Sequence, residues 1–194
     1  MQIILASQTP RRRELLERMG ISHFDIIPAK GEERADPNLT PEQLVEELSR
    51  QKAAEIAANH PDSLIIAADT VVAVDGTVLG KPRDRDDAVR MLQTLSGREH
   101  TVYSGLTVCW QGRSVTQHEA TAVRFRPLTL DDIHHYVSTG EPMDKAGSYG
   151  IQGYGALLVE GIRGDYHNVM GLPICRLGRM LLDFGVDCLA LAGR

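Results

Sequence analysis

The chain has 194 residues, 42% of them hydrophobic and 24% charged, as expected of a soluble globular protein. That length suits one domain, residues 1–194, able to bury roughly 70% of its extended surface without covalent staples. Twenty-one Lys and Arg against 26 Asp and Glu leave a net charge of −5, which argues against a protein that coats nucleic acid or an anionic membrane.

Elements of both kinds alternate along the chain. Ile3–Ala6 reads as a short buried strand, and Thr9-Pro10 opens a helix through Met19 that Gly20 ends. Phe24–Pro28 reads as a second strand. Thr40-Pro41-Glu42-Gln43 is a capping box at the start of a helix reaching about Ala58. Leu64–Ala68 is a continuous apolar run that the pattern ends at Asp69. Val71–Val74 and Thr77–Leu79 flank Asp75-Gly76, the strongest short hairpin signal. Asp84 caps a helix ending near Ser96-Gly97. Thr101–Cys109 and Ser114–Arg124 alternate around Gln111-Gly112 as a second hairpin. Thr129 begins a helix ending at Gly140, and a glycine-rich loop follows. A strand at Ala156–Ile162 and a helix from Pro173 to Phe184 complete the pattern. Strands mixed with helices, with two hairpins among them, predict an α/β fold with a mixed central sheet flanked by helices.

Cys109, Cys175 and Cys188 are odd in number and form no CxxC, so neither a disulfide framework nor a zinc site is implied. The first residues, MQIILASQTPRRR, place a short apolar run before the arginines, the reverse of a signal peptide. No apolar stretch approaches the about 20 residues needed to span a bilayer. A reducing cytoplasm fits best.

Four clusters can carry chemistry. In Ser7-Gln8-Thr9-Pro10-Arg11-Arg12-Arg13 a strand feeds a turn and a capped helix, a place suited to an anion; the same residues also read as an ordinary amphipathic helix with solvated arginines. Lys52 falls in the middle of the apolar stripe Leu44, Val45, Leu48 and Ile56, where it must snorkel, pair or meet an anion. Asp69 closes an apolar strand, and the Asp75-Gly76 hairpin is expected to return Lys81 beside it, either as a simple ion pair or as part of a site. Glu32-Glu33 offers carboxylates for a hard cation, although two loop glutamates are more often just solvated. The stretch from Met143 to Gly155 holds four glycines in nine residues, which allows backbone to approach a ligand or makes a flexible surface loop. There is no HExxH, no GxSxG and no Walker A.

Together these segments resemble the Maf family, the septum-formation-inhibitor-like nucleoside triphosphate pyrophosphatases. The matching stretches are ILASQTPRRRELL, the GEE glutamates, the lysine of RQKA, AADTVV, LGKP, LSGREH, EPMDKAGSYGIQG and GDYHNVMGLP, in the family's order and over nearly the whole chain. The resemblance implies an elongated Maf/ITPase-like fold with two lobes around a substrate cleft. It also implies hydrolysis between the α- and β-phosphates and a divalent metal such as Mg, Mn or Co. Asp69 matches the proton acceptor that activates water. Ser7, Arg13, Lys52 and Lys81 match phosphate-handling positions, and Glu33 with Asp69 the metal. Asp69 cannot be inner-sphere ligand and free base through the same oxygen.

Arg12, Thr70 and Gln152 match the specificity positions of the branch acting on dTTP and UTP. One Gln amide meets the O4 and N3–H of uracil, but flips to meet cytosine equally well. Arg12 only donates, so it favours O4 over the cytosine amine. Modified pyrimidine nucleotides are a further substrate class, and a homodimer is implied by resemblance alone. Two other functions compete: a nucleotide-binding regulator of cell division, and a nucleic-acid binder using Arg11–Arg13, which the overall acidity disfavours. Three of the four lysines, Lys52, Lys81 and Lys145, lie inside the resembling segments and only Lys30 outside. An acidic chain can thus keep a local cationic site for one triphosphate.

Overall fold

In the computed structural model, which describes residues 1–193, seven strands form one mixed sheet. The parallel part joins β1 (Ile3–Leu5) to β2 (Asp25–Ile26) on one side and to β3 (Leu64–Val74) on the other. The antiparallel part continues from β3 through β5 (Glu99–Trp110) and β6 (Arg113–Phe125) to β7 (Val159–Arg163). The short strand β4 (Thr77–Leu79) pairs back onto β3. Both predicted hairpins form. Asp75 and Gly76 have φ of 48° and 75°, and Gln111 and Gly112 of 50° and 78°, the twin left-handed pair that matches strand twist.

The helices begin where their caps predicted. Helix α2 (Pro41–Asn59) opens on the Thr40/Gln43 capping box, and α3 (Arg85–Leu95) starts with Asp84 accepting from the Asp87 amide. Helix α4 (Leu130–Ser138) starts on a second capping box, Thr129 with Asp132. Helix α1 (Pro10–Arg18) differs, because Thr9 stands at the cap position without a side-chain cap bond.

Packing follows strand parity. Leu64, Ile66 and Ala68 of β3 share one face with Leu15, Leu16 and Met19 of α1 and with Leu177, Met180 and Leu181 of helix α6 (Ile174–Leu182). Farther along the same face, Val72 and Val74 join Leu92 of α3 and Ile133 and Tyr136 of α4 in a second cluster. Ile65 and Ala67 face the other side, against Ala53 and Ile56 of α2. Leu15 and Leu16 are fully buried, contributing about 1.5–3 kcal/mol each and fixing which face of α1 turns inward. The two side-by-side clusters are the two lobes, and β3, β5 and β6 run through both.

Three expectations are corrected. β3 does not stop at Asp69 but continues unbroken to Val74, because β5 pairs with it from Ile65 to Ala73 and supplies the backbone partners. Tyr154–Leu158 is a 3₁₀ turn, so the last strand starts at Val159. Two short helices, α5 (Tyr166–Met170) and α7 (Cys188–Ala192), lack the periodicity that marks longer ones.

Candidate active site

The two edges of β3 are treated differently. On one, β5 pairs almost throughout. On the other, β1 pairs with Leu64–Ile66 and β4 with Val72–Val74, leaving the stretch between them without a strand partner. A cleft of about 770 Å³ opens at this break. The Ile66 carbonyl receives the Ala6 amide, and two residues on the Ala68 carbonyl receives Arg12 instead of a strand. A break in strand pairing at the β1–α1 turn is where α/β sheets expose backbone and side chains to ligands.

Alternation sends Asp69 and Thr70 to opposite faces of the strand. Asp69, 9% exposed, turns toward α2. Directly across the ladder stands Gly105, where any Cβ would collide with the Val45 carbonyl. Only glycine lets α2 approach this closely, and one consequence is that Lys52 reaches the site. Its ammonium hydrogen-bonds Asp69 and lies 2.8 Å from Glu33 Oε1. The expected partner of Asp69 was Lys81. Asp69 pairs with Lys52, and β4 leaves the ladder at Leu79, opposite Val72 and two residues before Lys81. Lys81 instead lines the cleft, exposed.

Thr70, on the opposite face, meets Arg12. The Arg12 guanidinium donates from Nε to the Gly171 carbonyl at 2.8 Å and from one terminal nitrogen to the Ala68 carbonyl at 2.9 Å and Ser7 Oγ at 3.2 Å. Its other terminal nitrogen donates to Thr70 Oγ1 at 3.0 Å. Burial pushes the Arg12 pKa down, opposed by the charge of Asp69. Four of its five N–H donors are thus spent on the protein, so Arg12 ties α1, β3 and the end of α5 together before it meets any ligand.

Ser7, Gln152, Glu33, Lys52, Asp69, Thr70 and Lys81 all border the same cleft with Arg12. Arg13 does not. It stands exposed on the outer face of α1, paired with Glu17 at 2.9 Å, because Arg12 shares the inward stripe with Leu15, Leu16 and Met19. The arginine that reaches the cleft beside Arg12 is Arg11, 3.7 Å from Asp144 on the far side.

The glycine-rich loop is not a loose surface loop. Glu141 accepts from Tyr136 Oη and the Gly155 amide on Oε1 and from the Tyr154 amide on Oε2, each at 2.9 Å. Tyr136 Oη in turn accepts from the Gly150 amide at 3.1 Å. Burial, then Glu141, raises the Tyr136 pKa, which keeps the phenol protonated and donating. Lys145 is locked by the Glu141 carbonyl and Asp144, both at 2.7 Å. No local pattern points to this role of Glu141, whose partners lie five to fourteen residues away.

Glu33 and Asp69 converge on one point from two elements. Among the described residues no group of three or more His, Cys, Asp or Glu could enclose a metal ion, so the protein offers no complete cage. Two carboxylates beside a space for phosphate suit an ion that takes the rest of its shell from substrate and water, as Mg²⁺ does. Among the described residues no helix is long and apolar enough to cross a membrane.

Five cationic side chains (Arg11, Arg12, Lys52, Lys81, Lys145) and four carboxylates (Glu33, Asp69, Glu141, Asp144) border the cleft. This is an α/β protein whose cleft, at a break in its sheet edge, can hold a small polyanion beside a carboxylate. The chain belongs to the Maf family: the sequence profile described as "Maf-like protein" matches residues 2–184. It is 53% identical over 187 residues to the dTTP/UTP pyrophosphatase of Carboxydothermus hydrogenoformans, covering 95% of this chain and 100% of that one. It is 50% identical over 185 residues to the dTTP/UTP pyrophosphatase of Bacillus pumilus, covering 95% and 97%. The fold is similar to that of the Staphylococcus aureus Ham1 protein, with a TM-score of 0.51 at 13% identity over 82% of this chain and 80% of that one.

Proposed function

We propose that this chain is a nucleoside triphosphate pyrophosphatase acting on dTTP and UTP, releasing the monophosphate and pyrophosphate in the cytoplasm. The observation that carries the reading is the agreement between near-complete alignment to dTTP/UTP pyrophosphatases and a cleft where Asp69 stands among cations. Phosphoryl transfer depends mainly on positioning and charge stabilisation. Lys81, Arg11 and Lys52 supply positive charge from three elements, and Ser7 adds a hydroxyl at the start of α1. Asp69 takes the proton of the attacking water, whose oxygen forms the new P–O bond as the α–β anhydride breaks. Glu33 and Asp69 are the residues that would hold a divalent cation, which would neutralise phosphate charge and lower the pKa of bound water. Lys52, in contact with both carboxylates, is placed to exchange one of those contacts for phosphate.

The test is a panel of nucleoside triphosphates, modified uridines included, with pyrophosphate detection and titration of Mg²⁺, Mn²⁺ and Co²⁺. The expected result is release from dTTP and UTP well above CTP, lost in Asp69→Asn. Purified protein that cleaves CTP as fast as UTP at subsaturating concentrations would refute the stated specificity.

A further inference from the structure

A chain of hydroxyls runs behind Thr70. Ser104 stands directly across the β3–β5 ladder from Thr70, so the two side chains share a face, and their oxygens lie 2.8 Å apart. Ser104 Oγ also lies 3.2 Å from the backbone carbonyl of Asn168 in α5. Ser104 and Asn168 are both fully buried. The Asn168 side chain is itself anchored, donating to the Val102 carbonyl and to Thr121 Oγ1, each at 3.0 Å.

One direction satisfies every contact in this chain at once. A carbonyl only accepts; the Asn168 carbonyl takes the Gly171 amide at 2.9 Å and, in that arrangement, the single Ser104 hydrogen as well. Ser104 then has none left for Thr70, and the Thr70 hydroxyl donates to Ser104. A guanidinium only donates, so Thr70 Oγ1 accepts from Arg12 at 3.0 Å. Thr70 is left with one free lone pair and no hydrogen to offer. Arg12 is left with one N–H on the nitrogen that binds Thr70. The space beside them is open because residue 171 is glycine: a Cβ there would stand 3.5 Å from Thr70 Oγ1 and 3.9 Å from the Arg12 terminal nitrogen.

We infer that Ser104 is a positioning residue for base selection: it holds the Thr70 hydroxyl as an acceptor, so that Arg12 and Thr70 present a donor beside an acceptor. The inference rests on the proposed pyrimidine nucleotide substrate. Uracil and thymine offer O4 as acceptor beside N3–H as donor, and both are met. Cytosine offers an amine beside a bare N3, and both are opposed. A site whose polar groups are left unpaired by the wrong substrate rejects it strongly. With Ser104 removed, the Thr70 hydroxyl is free to turn and donate to N3 of cytosine.

The measurement is kcat/KM for UTP and CTP in the wild type, Ser104→Ala and Ser104→Cys, with a melting curve of each. The wild type is expected to prefer UTP, and Ser104→Ala to lower the UTP/CTP ratio about tenfold, chiefly through a lower KM for CTP. Ser104→Cys fills the site, but its sulfur accepts only weakly from Thr70; if the alanine variant fails to fold, the cysteine variant carries the same expectation. Loss of packing alone would lower both rates together and leave their ratio unchanged. A folded variant with an unchanged ratio overturns the inference, as does a wild type indifferent between UTP and CTP. A wild type that cleaves no nucleoside triphosphate refutes the proposed function itself.

Discussion

Replacing Glu141 with Gln probes how the glycine-rich loop is held. The carboxylate accepts three hydrogen bonds, two on Oε1 and one on Oε2. An amide has one acceptor oxygen. If that oxygen takes the place of Oε1, the new NH₂ faces the Tyr154 amide, donor against donor. One charge-assisted bond is lost, worth about 1.5–3 kcal/mol, and two others become neutral, losing about 1 kcal/mol each. Because Glu141 is only partly buried, about 2–3 kcal/mol is the expected total. At about 2–4 °C per kcal/mol for a chain this size, the melting temperature should fall by roughly 5–10 °C. The loop also carries Gln152 into the cleft, so KM for dTTP should rise more than kcat falls. Calorimetry and steady-state kinetics on the same preparation test both. A melting temperature within 1 °C of wild type with unchanged KM would refute the role given to Glu141.

Lys81→Ala should lower kcat/KM by about 10²–10³ while moving the melting temperature by about 1 °C or less, since Lys81 is exposed; a large thermal loss would point to a structural ion pair. Arg13→Ala should change kcat/KM no more than about twofold, because an exposed i,i+4 pair contributes only about 0.3–0.5 kcal/mol; a tenfold loss would mean that Arg13 turns into the cleft with substrate. Burial against Phe125 and Tyr149 lowers the His100 pKa from 6.5 to about 4. Below 6.5 the unfolded chain binds a proton that the folded chain refuses. Stability is therefore complete above that pH and drains as pH falls toward 4, by about 3 kcal/mol at most. Urea titrations from pH 7 to 4 should show a flatter decline in His100→Gln, and parallel declines would contradict the assignment.

Much of the frame was legible because its signals are local. Capping residues at Thr40, Asp84 and Thr129 and the turns at Asp75-Gly76 and Gln111-Gly112 act within a few residues, and each stands where the pattern put it. The inward position of Lys52 followed from its place on an apolar helical stripe. What failed needed partners distant in sequence. An aspartate after five apolar residues reads as a strand end, yet β5 carries β3 past Asp69. The Asp75-Gly76 hairpin points Lys81 toward Asp69, but pairing ends at Leu79, two residues short of Lys81, and Asp69 takes Lys52 from a distant helix. Arg11, Arg12 and Arg13 look alike in sequence; the burial of Leu15 and Leu16 decides which turns inward. The Glu141 and Ser104 contacts cross 14 and 64 residues to Gly155 and Asn168, and no local pattern encodes them.

Strands β3, β5 and β6, of 11, 12 and 13 residues, pass without interruption through both hydrophobic clusters. The lobes are therefore halves of one hydrogen-bonded plate, not bodies joined by a flexible linker. Separating the halves of such a plate would break its ladder, so the cleft floor built on β3 stays in one piece. Ligand-driven movement is left to the parts that rim the floor: the Glu33 loop, the Lys81 turn and the 141–155 segment. The molecule works as a fixed gauge with adjustable jaws, and small-angle scattering profiles with and without nucleotide should nearly superimpose.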